Sequence, residues 1–266
     1  MKKIIKQYNV DAFSDTVFAG NQAAVCILDE WLPEDIMKKM TAENNFSETA
    51  FAVCEGGDRY HLRWFTPAAE IELCGHATLA TAFVIMTILK PECSKVEFDT
   101  LSGLLTVTKD GDLFTLDFPS NTLKPVEITE DFVKAIGVKP KEVYLGDDML
   151  CVLDNEDEVR SVVPNQEVIA KLDGVCFHIT APGKDYDCVT RTFAPKCGVY
   201  EDPVCGRAHC HVIPYWAKKM GKNDIKAFQA SKRGGELYCR YAGDRTYISG
   251  KATLFAEVTV HLETVL

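Results

Sequence analysis

Residues 63–77 contain two short motifs that occur again, in the same order, in the second half of the chain. Arg63-Trp-Phe-Thr-Pro67 precedes Cys74-Gly-His-Ala77, and Arg191-Thr-Phe-Ala-Pro195 precedes Cys205-Gly-Arg-Ala208. The paired motifs lie 128 and 131 residues apart. Downstream, a glycine turn and strand at residues 102–104 match residues 234–237 at a similar separation. This recurrence indicates an internal duplication, and it predicts two similar halves whose Cys-Gly turns face each other across a pseudo-twofold axis.

Short apolar or alternating runs dominate the rest of the chain and predict strands. These runs are residues 4–10, 23–28, 49–54, 60–65, 96–98, 104–108, 113–118, 143–144, 149–153, 174–180, 188–193, 236–241 and 253–260. Four segments carry helix signals, namely residues 33–44, 77–89, 129–136 and 165–172. Proline or a capping side chain opens three of them, and glycine follows two of them. The pattern predicts a strand-rich α+β fold.

Composition excludes several classes of protein. The chain has 266 residues, 47% of them hydrophobic, and a formal net charge of −10. That is enough apolar sequence for a sizeable core, while the negative charge disfavours binding to nucleic acid. The longest apolar run, residues 77–89, is too short to span a membrane, and no signal peptide opens the chain, so we expect a cytoplasmic protein. Eleven cysteines with irregular spacing and no Cys-x-x-Cys pair indicate reduced thiols.

Each Cys-Gly pair stands where a helix is predicted to begin. The first backbone N–H groups of a helix are free and bind anions, and glycine allows a ligand to approach the backbone closely. We therefore expect Gly75 and Gly206 to hold a carboxylate or to stabilise an enolate formed by proton removal.

Longer motifs resemble the PhzF-like (phenazine-biosynthesis-like) isomerases over nearly the whole chain. The matching stretches are residues 13–21, 45–51, 65–67, 72–80, 201–209, 215–216 and 229–237. The resemblance implies the diaminopimelate-epimerase fold, with two pseudo-symmetric lobes that each wrap a β-barrel-like sheet around a central helix. We expect one lobe at residues 1–118, joined by a returning strand at 256–266, and the other at 119–255. Such relatives are commonly homodimers.

The same resemblance implies an isomerase that needs no metal, nucleotide or flavin. Family members of known activity move a proton within the ring of a dihydro-hydroxyanthranilate, and the glutamate of an Asn-x-Ser-Glu motif, here Glu48, is the acid/base. A partly buried glutamate suits that role because one carboxyl can both take and return a proton. His76 and Asp202 are the other expected catalytic residues. The residues expected to bind a small carboxylic acid substrate are Asn21, Ser47, Cys74, Gly75, Cys205, Gly206 and Arg207.

The chain departs from the family pattern at two expected site residues. Cys74 replaces an alanine of the phenazine enzyme, and Arg207 replaces a small hydroxyl residue, where it could clamp a substrate carboxylate or fill the pocket. Cys74 and Cys205 also occupy the positions of the catalytic thiol pair in related proline racemases. A two-thiol racemase and a non-catalytic binding protein of the same fold are therefore alternatives.

The Cys205, His209, Cys210 and His211 group could suggest a metal site. Its residues cannot all share one helix face and no carboxylate supports them, so we expect no metal there. Pro214 should kink the helix that is predicted to begin at Gly206, or mark the true start of that helix.

Overall fold

A computed structural model describes residues 3–262 of the chain. Its strands are β1 (Ile4–Ala12), β2 (Asn21–Leu28), β3 (Glu48–Gly56), β4 (Arg59–Phe65), β5 (Glu70–Ile71), β6 (Lys95–Thr100), β7 (Gly103–Asp110), β8 (Leu113–Pro119), β9 (Lys124–Pro125), β10 (Glu142–Leu145), β11 (Met149–Val152), β12 (Phe177–Pro182), β13 (Cys188–Ala194), β14 (Val199–Asp202), β15 (Asp224–Gln229), β16 (Gly235–Ala242), β17 (Arg245–Gly250) and β18 (Ala252–His261). Its α-helices are α1 (Glu34–Asn44), α2 (Gly75–Phe83), α3 (Glu130–Ile136), α4 (Glu156–Ser161), α5 (Gln166–Ile169) and α6 (Gly206–Met220). A π-helix (Val84–Leu89) and a short 3₁₀ helix (Pro195–Cys197) complete the elements.

The chain divides into two compact units. One unit runs up to Asp117 and includes the segment from Ser249 onward, and the other is Phe118–Ile248. In the first unit, β18 returns to pair antiparallel with β1, from Ala12 opposite Ala252 to Ile4 opposite His261. Residues 263–266 of the expected returning strand lie outside the described part of the chain.

The strands of the first unit pair in a defined order. β1 is antiparallel to β2, β2 is parallel to β3, β3 is antiparallel to β4, β4 is parallel to β6, and β6 is antiparallel to β7. Because parallel neighbours need a crossover connection, α2 and the π-helix lie between β4 and β6 in sequence. α2 packs against β1, β2 and β3 and is buried from His76 to Phe83.

The second unit repeats this order of pairing. β10 is antiparallel to β11, β11 is parallel to β12, β12 is antiparallel to β13, β13 is parallel to β15, and β15 is antiparallel to β16. Here α6 makes the crossover and packs against β13, β15 and β16. The mixed, sheet-dominated α+β architecture predicted from the motifs is confirmed, and each unit has a central helix.

Threonine side chains explain how α2 can be enclosed on every side and still hold polar residues. Thr78 Oγ1 donates to the carbonyl of Cys74 at 2.5 Å, and Thr81 Oγ1 donates to that of Ala77 at 2.7 Å. Each buried hydroxyl thereby finds its partner within the helix. The apolar run predicted as a helix over 77–89 is an α-helix only to Phe83, after which it continues as the π-helix.

Helix α6 continues through Pro214, so the prediction that this proline could mark the helix start is wrong. The helix begins at Gly206, eight residues earlier. Proline has no N–H, which leaves the carbonyl four residues before it without its helical partner. That carbonyl, of Cys210, instead accepts from the backbone N–H of Asn121 at 2.9 Å. A segment outside the helix thus satisfies the group that the proline leaves free.

The remaining helix predictions hold in part. α1 buries Ile36, Met37 and Met40 as expected, and Gly137 ends α3 in the left-handed conformation. The segment predicted over 165–172 forms an α-helix only to Ile169, and α4 was not predicted. Its start carries a signal, since Asn155 caps the backbone N–H of Glu158 at 3.0 Å. None of the helices in the described part of the chain has the length and apolar character needed to cross a membrane.

Candidate active site

Asn21, Glu48, Cys74 and His76 come together in the first unit, and we refer to them as the Glu48 cluster. Asn21 is the first residue of β2 and Glu48 the first of β3. Because these strands are parallel, with Ala23 opposite Glu48, both side chains start from the same edge of the sheet. His76 is the second residue of α2 and Cys74 precedes its first turn.

Glycine makes the entry into β2 possible. Gly20 has a φ of +68°, and an added Cβ would collide with the backbone carbonyl oxygen of Ala12. Only glycine adopts this conformation without strain, so the turn before β2 depends on it. The turn determines where Asn21, the next residue, enters the cluster.

A histidine ring joins the members of the cluster. His76 Nδ1 lies 3.1 Å from Asn21 Nδ2 and 3.5 Å from Cys74 Sγ, and His76 Nε2 lies 3.1 Å from Glu48 Oε2. The side chains of His76 and Glu48 are only 7% and 14% exposed. Nε2 and Oε2 meet at ion-pair distance without the alignment of a hydrogen bond, and neither atom has a hydrogen-bond partner among residues 3–262. Two buried polar groups are thus available to a ligand.

Electrostatics favour a protonated His76. Burial alone would lower the pKa of His76, but the neighbouring Cys74 sulfur and Glu48 carboxylate outweigh burial and raise that pKa well above 6.5. Burial and the Glu48 charge together raise the pKa of the Cys74 thiol above 9.0. The charges around the ring therefore favour the protonated form of His76.

The raised pKa of His76 predicts a pH-dependent stability. A protonated ring contributes its full stability below the unfolded-state pKa of 6.5 and loses that contribution as pH rises through the folded-state pKa. We expect the free energy of unfolding in urea to fall from pH 6.5 toward pH 9.0, with a slope of at most about 1.4 kcal/mol per pH unit from this one proton. His76→Asn should flatten the profile, and identical profiles for the two proteins would contradict a protonated His76.

A second polar cluster lies in the second unit and comprises Asp148, His178, Arg207 and His211. Asp148 is fully buried, and its Oδ1 accepts from the backbone N–H groups of Val175 and Cys176 at 3.1 and 2.9 Å. Arg207 donates from Nε to Oδ2 at 2.5 Å and from Nη2 to Oδ1 at 3.1 Å. Burial would raise the pKa of Asp148, but His178 and Arg207 hold it well below its usual value.

The protonation state of His211 follows from its partners. The backbone N–H of Asp148 donates to His211 Nε2 at 3.2 Å, so that nitrogen carries no proton. Nδ1 carries it instead and donates to the carbonyl of Arg207 at 3.1 Å. Burial lowers the pKa of His211 to about 4, which agrees with a neutral ring. The Asp148 cluster thus holds one carboxylate and one guanidinium, with most of its donors and acceptors already paired.

Arg207 is the exposed end of this cluster. Its side chain is 44% exposed while Asp148 is fully buried, and the pairing with Asp148 raises the pKa of the guanidinium. A rigid bidentate pair orients the guanidinium while one face stays open to solvent. This arrangement is compatible with binding of a substrate carboxylate by Arg207. Asp148 holds the guanidinium in place at the start of α6.

The other predicted site residues divide between the two units. Ser47 and Gly75 are half-buried in the first unit, next to Glu48 and His76. Cys205 and Gly206 are buried at the start of α6, where the Cys205 backbone N–H donates to Gln229 Oε1 at 2.9 Å. Asp202 ends β14, and burial with the Asp202 charge raises the pKa of Cys205 well above 9.0.

Sequence reasoning did not identify Asp148 and His178, although the duplication contains a signal for them. Asn21, Glu48 and His76 precede Asp148, His178 and Arg207 by 127, 130 and 131 residues, close to the separation of the paired motifs. The structural positions agree: Asp148 directly precedes β11, His178 is the second residue of β12, and Arg207 is the second of α6. Projecting the first-half residues by the repeat length would have found this second cluster.

Comparisons with known proteins agree with the fold and the motifs. The profile of the family described as "Phenazine biosynthesis-like protein" matches residues 10–258. An uncharacterised isomerase of Pseudomonas aeruginosa is 43% identical over 258 residues, which covers 96% of this chain and 98% of that protein. The crystal structure of a PhzF-family protein from Enterococcus faecalis is 45% identical, with a TM-score of 0.95 over 98% of this chain and 100% of the other.

More distant structures show the fold alone. A hydroxyproline epimerase of Agrobacterium vitis is 11% identical, with a TM-score of 0.62 over 99% of this chain and 92% of its own. A predicted epimerase, a probable proline racemase and this hydroxyproline epimerase thus share the diaminopimelate-epimerase-like fold of the present chain. The relatives named as isomerases support an isomerase function. From its pairing order, its motifs and the match over most of its length, this chain belongs to the phenazine biosynthesis-like family.

Proposed function

We propose that this chain is an isomerase that moves a proton within a small carboxylic acid, with Glu48 as the general acid and base. The observation that carries the proposal is the pair of buried, unpartnered atoms Glu48 Oε2 and His76 Nε2, 3.1 Å apart. A buried carboxylate is stable only beside a compensating charge, and the protonated ring of His76 supplies one. Glu48 then takes a proton from one carbon of the substrate and returns it to another.

The start of α2 supports the charge that proton removal creates. The N-terminal backbone N–H groups of a helix together carry about half a positive charge. In α2 these groups belong to Gly75 and His76, the first two residues of the helix, which adjoin Cys74 and the His76 side chain of the Glu48 cluster. In this mechanism they stabilise an enolate or a bound carboxylate, as fixed dipoles that need no reorganisation. No step calls for a metal, a nucleotide or a flavin, because a single carboxyl group supplies the acid and the base.

Residues of the second unit have proposed roles in binding. Arg207, oriented by Asp148, is proposed to bind a carboxylate through the exposed face of its guanidinium. Asp202, the last residue of β14, remains a proposed catalytic residue, since its carboxylate could accept or relay a proton.

Thiol burial disfavours the two-thiol alternative. A racemase of that kind needs a thiolate as its base, and thiolates form where positive charge and solvent lower the pKa. In this chain burial raises the pKa of both Cys74 and Cys205.

Solvent isotope exchange tests the proposed reaction. We expect incubation in deuterated buffer with a panel of small unsaturated or cyclic carboxylic acids to replace one carbon-bound proton of a substrate, seen as loss of its proton NMR signal. A chelator should not reduce the exchange, because the mechanism uses side chains alone. Heat-denatured protein is the control. Acids that raise the melting temperature but show no exchange would favour the non-catalytic binding protein.

A further inference from the structure

Three different kinds of donor atom meet in the Glu48 cluster. Cys74 Sγ, a ring nitrogen of His76 and a carboxylate oxygen of Glu48 all lie within 4.8 Å of one another. His76 presents Nδ1 to Cys74 at 3.5 Å and Nε2 to Glu48 at 3.1 Å. A thiol, an imidazole and a carboxylate are the side chains that bind Zn²⁺ in proteins.

The spacing of the donors fits one small cation. Zinc–ligand distances of 2.0–2.3 Å in a tetrahedral site place neighbouring ligands about 3.5 Å apart. With Nε2 as the single ring ligand, Glu48 Oε2 lies 3.1 Å away, within the range of neighbouring ligands. The ligand atoms of the three residues lie within 4.8 Å of one another, so side-chain rotation has to bring the Cys74 sulfur closer to the other two. Three protein ligands leave the fourth position to water.

Two of the three donor atoms make no hydrogen bond that a cation would have to displace. His76 Nε2 and Glu48 Oε2 are buried and have no hydrogen-bond partner among the described residues, although a buried polar atom without a partner costs about 1–3 kcal/mol. A bound cation would satisfy both. The second group of possible ligands, Asp148, His178 and His211, offers one such atom, His178 Nε2, but its other donors are already paired. There Arg207 already pairs with Asp148, and His211 Nε2 accepts a backbone N–H.

We propose that Cys74, His76 and Glu48 form an inhibitory site for a thiophilic divalent cation of the zinc class. On binding, the Cys74 thiol and the protonated His76 ring each release one proton to solvent, a sulfur–metal and a nitrogen–metal bond form, and the metal stays divalent. The cation occupies the base and its histidine partner, so proton transfer stops. The inhibition rests on the proposed function, whereas the binding does not.

Cobalt is the probe for binding, because Co²⁺ replaces Zn²⁺ in tetrahedral sites and, unlike Zn²⁺, has d–d absorption bands. A bound thiolate adds a charge-transfer band in the near ultraviolet. We expect one equivalent of Co²⁺ to give a thiolate-to-cobalt charge-transfer band and tetrahedral d–d bands, both removed by added Zn²⁺. Cys74→Ala should lose the charge-transfer band. It should also weaken Zn²⁺ binding by more than the 10- to 100-fold that is typical when a residue that only contacts a metal ligand is removed. Cys54→Ala and Cys197→Ala, which change exposed cysteines, should keep both.

Separate outcomes test binding and inhibition. Unchanged cobalt spectra in Cys74→Ala would contradict the proposed site, and so would spectra that are lost equally in Cys197→Ala. Cys74→Ser is the second variant at this position, and circular dichroism of both variants shows whether a lost signal reflects a folding defect. Glu48→Gln should weaken Zn²⁺ binding while retaining the charge-transfer band. Zn²⁺ should abolish deuterium exchange and a chelator should restore it. If no acid exchanges at all, the proposed function fails while the cobalt experiment still decides whether the site exists.

Discussion

Glu48→Gln is expected to lower turnover about 100- to 10,000-fold, the usual loss when a positioned general base is removed. Glutamine keeps the size of the side chain and its hydrogen-bonding capacity but cannot accept the substrate proton. Ligand affinity and folding should change little, since glutamine keeps the length of the side chain and an oxygen that can still face His76 Nε2. The measurement is the rate of deuterium exchange on one substrate, with ligand affinity from thermal shift.

Cysteine variants are the matched comparison for this prediction. Cys74→Ala and Cys205→Ser should each cost much less activity than Glu48→Gln, because burial raises the pKa of both thiols and disfavours the thiolate that would act as base. All three variants are assayed on the same substrate. Full activity in Glu48→Gln together with a dead cysteine variant would replace the carboxylate mechanism with the two-thiol one.

Asp148→Ala is expected to destabilise the second unit strongly. It leaves Arg207 without its partner and two backbone N–H groups, of Val175 and Cys176, without an acceptor. Leaving two backbone N–H groups without an acceptor costs about 1–3 kcal/mol each, or about 2–6 kcal/mol together. At about 2–4 °C per kcal/mol, we expect the melting temperature to fall by roughly 4–24 °C.

The neighbouring acid provides the control. Asp147 is exposed, so Asp147→Ala should change the melting temperature far less. Asp148→Asn should fall between the two, since its side chain still accepts from the backbone but no longer carries the charge opposite Arg207. Equal melting temperatures for Asp147→Ala and Asp148→Ala would show that the Asp148 cluster does not hold the second unit together.

Much of the candidate site could be predicted from sequence because its residues stand in long motifs. Glu48, His76 and Arg207 each fall next to glycine turns or strand starts that pattern reasoning locates. The pairing of Arg207 with Asp148 could not be predicted this way. The two residues are 59 positions apart and meet only because the parallel β11–β12 pair and the crossover helix α6 bring them together.

Helix details show the same limit. Pro214 has a clear local preference against a helix interior, yet α6 continues through it, because the N–H of Asn121 satisfies the carbonyl that the proline leaves free. The apolar run after His76 predicts a helix but not its change to a π-helix at Val84. Tertiary partners decide such outcomes, since they add or remove about as much free energy as local propensity does.

Sequence by itself determined the duplication, the family and the strand-rich α+β class, because motif order and hydrophobic period depend only on neighbours along the chain. It also predicts Glu48 and His76 as site residues. Tertiary structure decided their chemistry. Only folding places the Glu48 carboxylate 3.1 Å from His76 Nε2, buries both, and raises the pKa of the ring, because charge and desolvation act through space and not along the sequence.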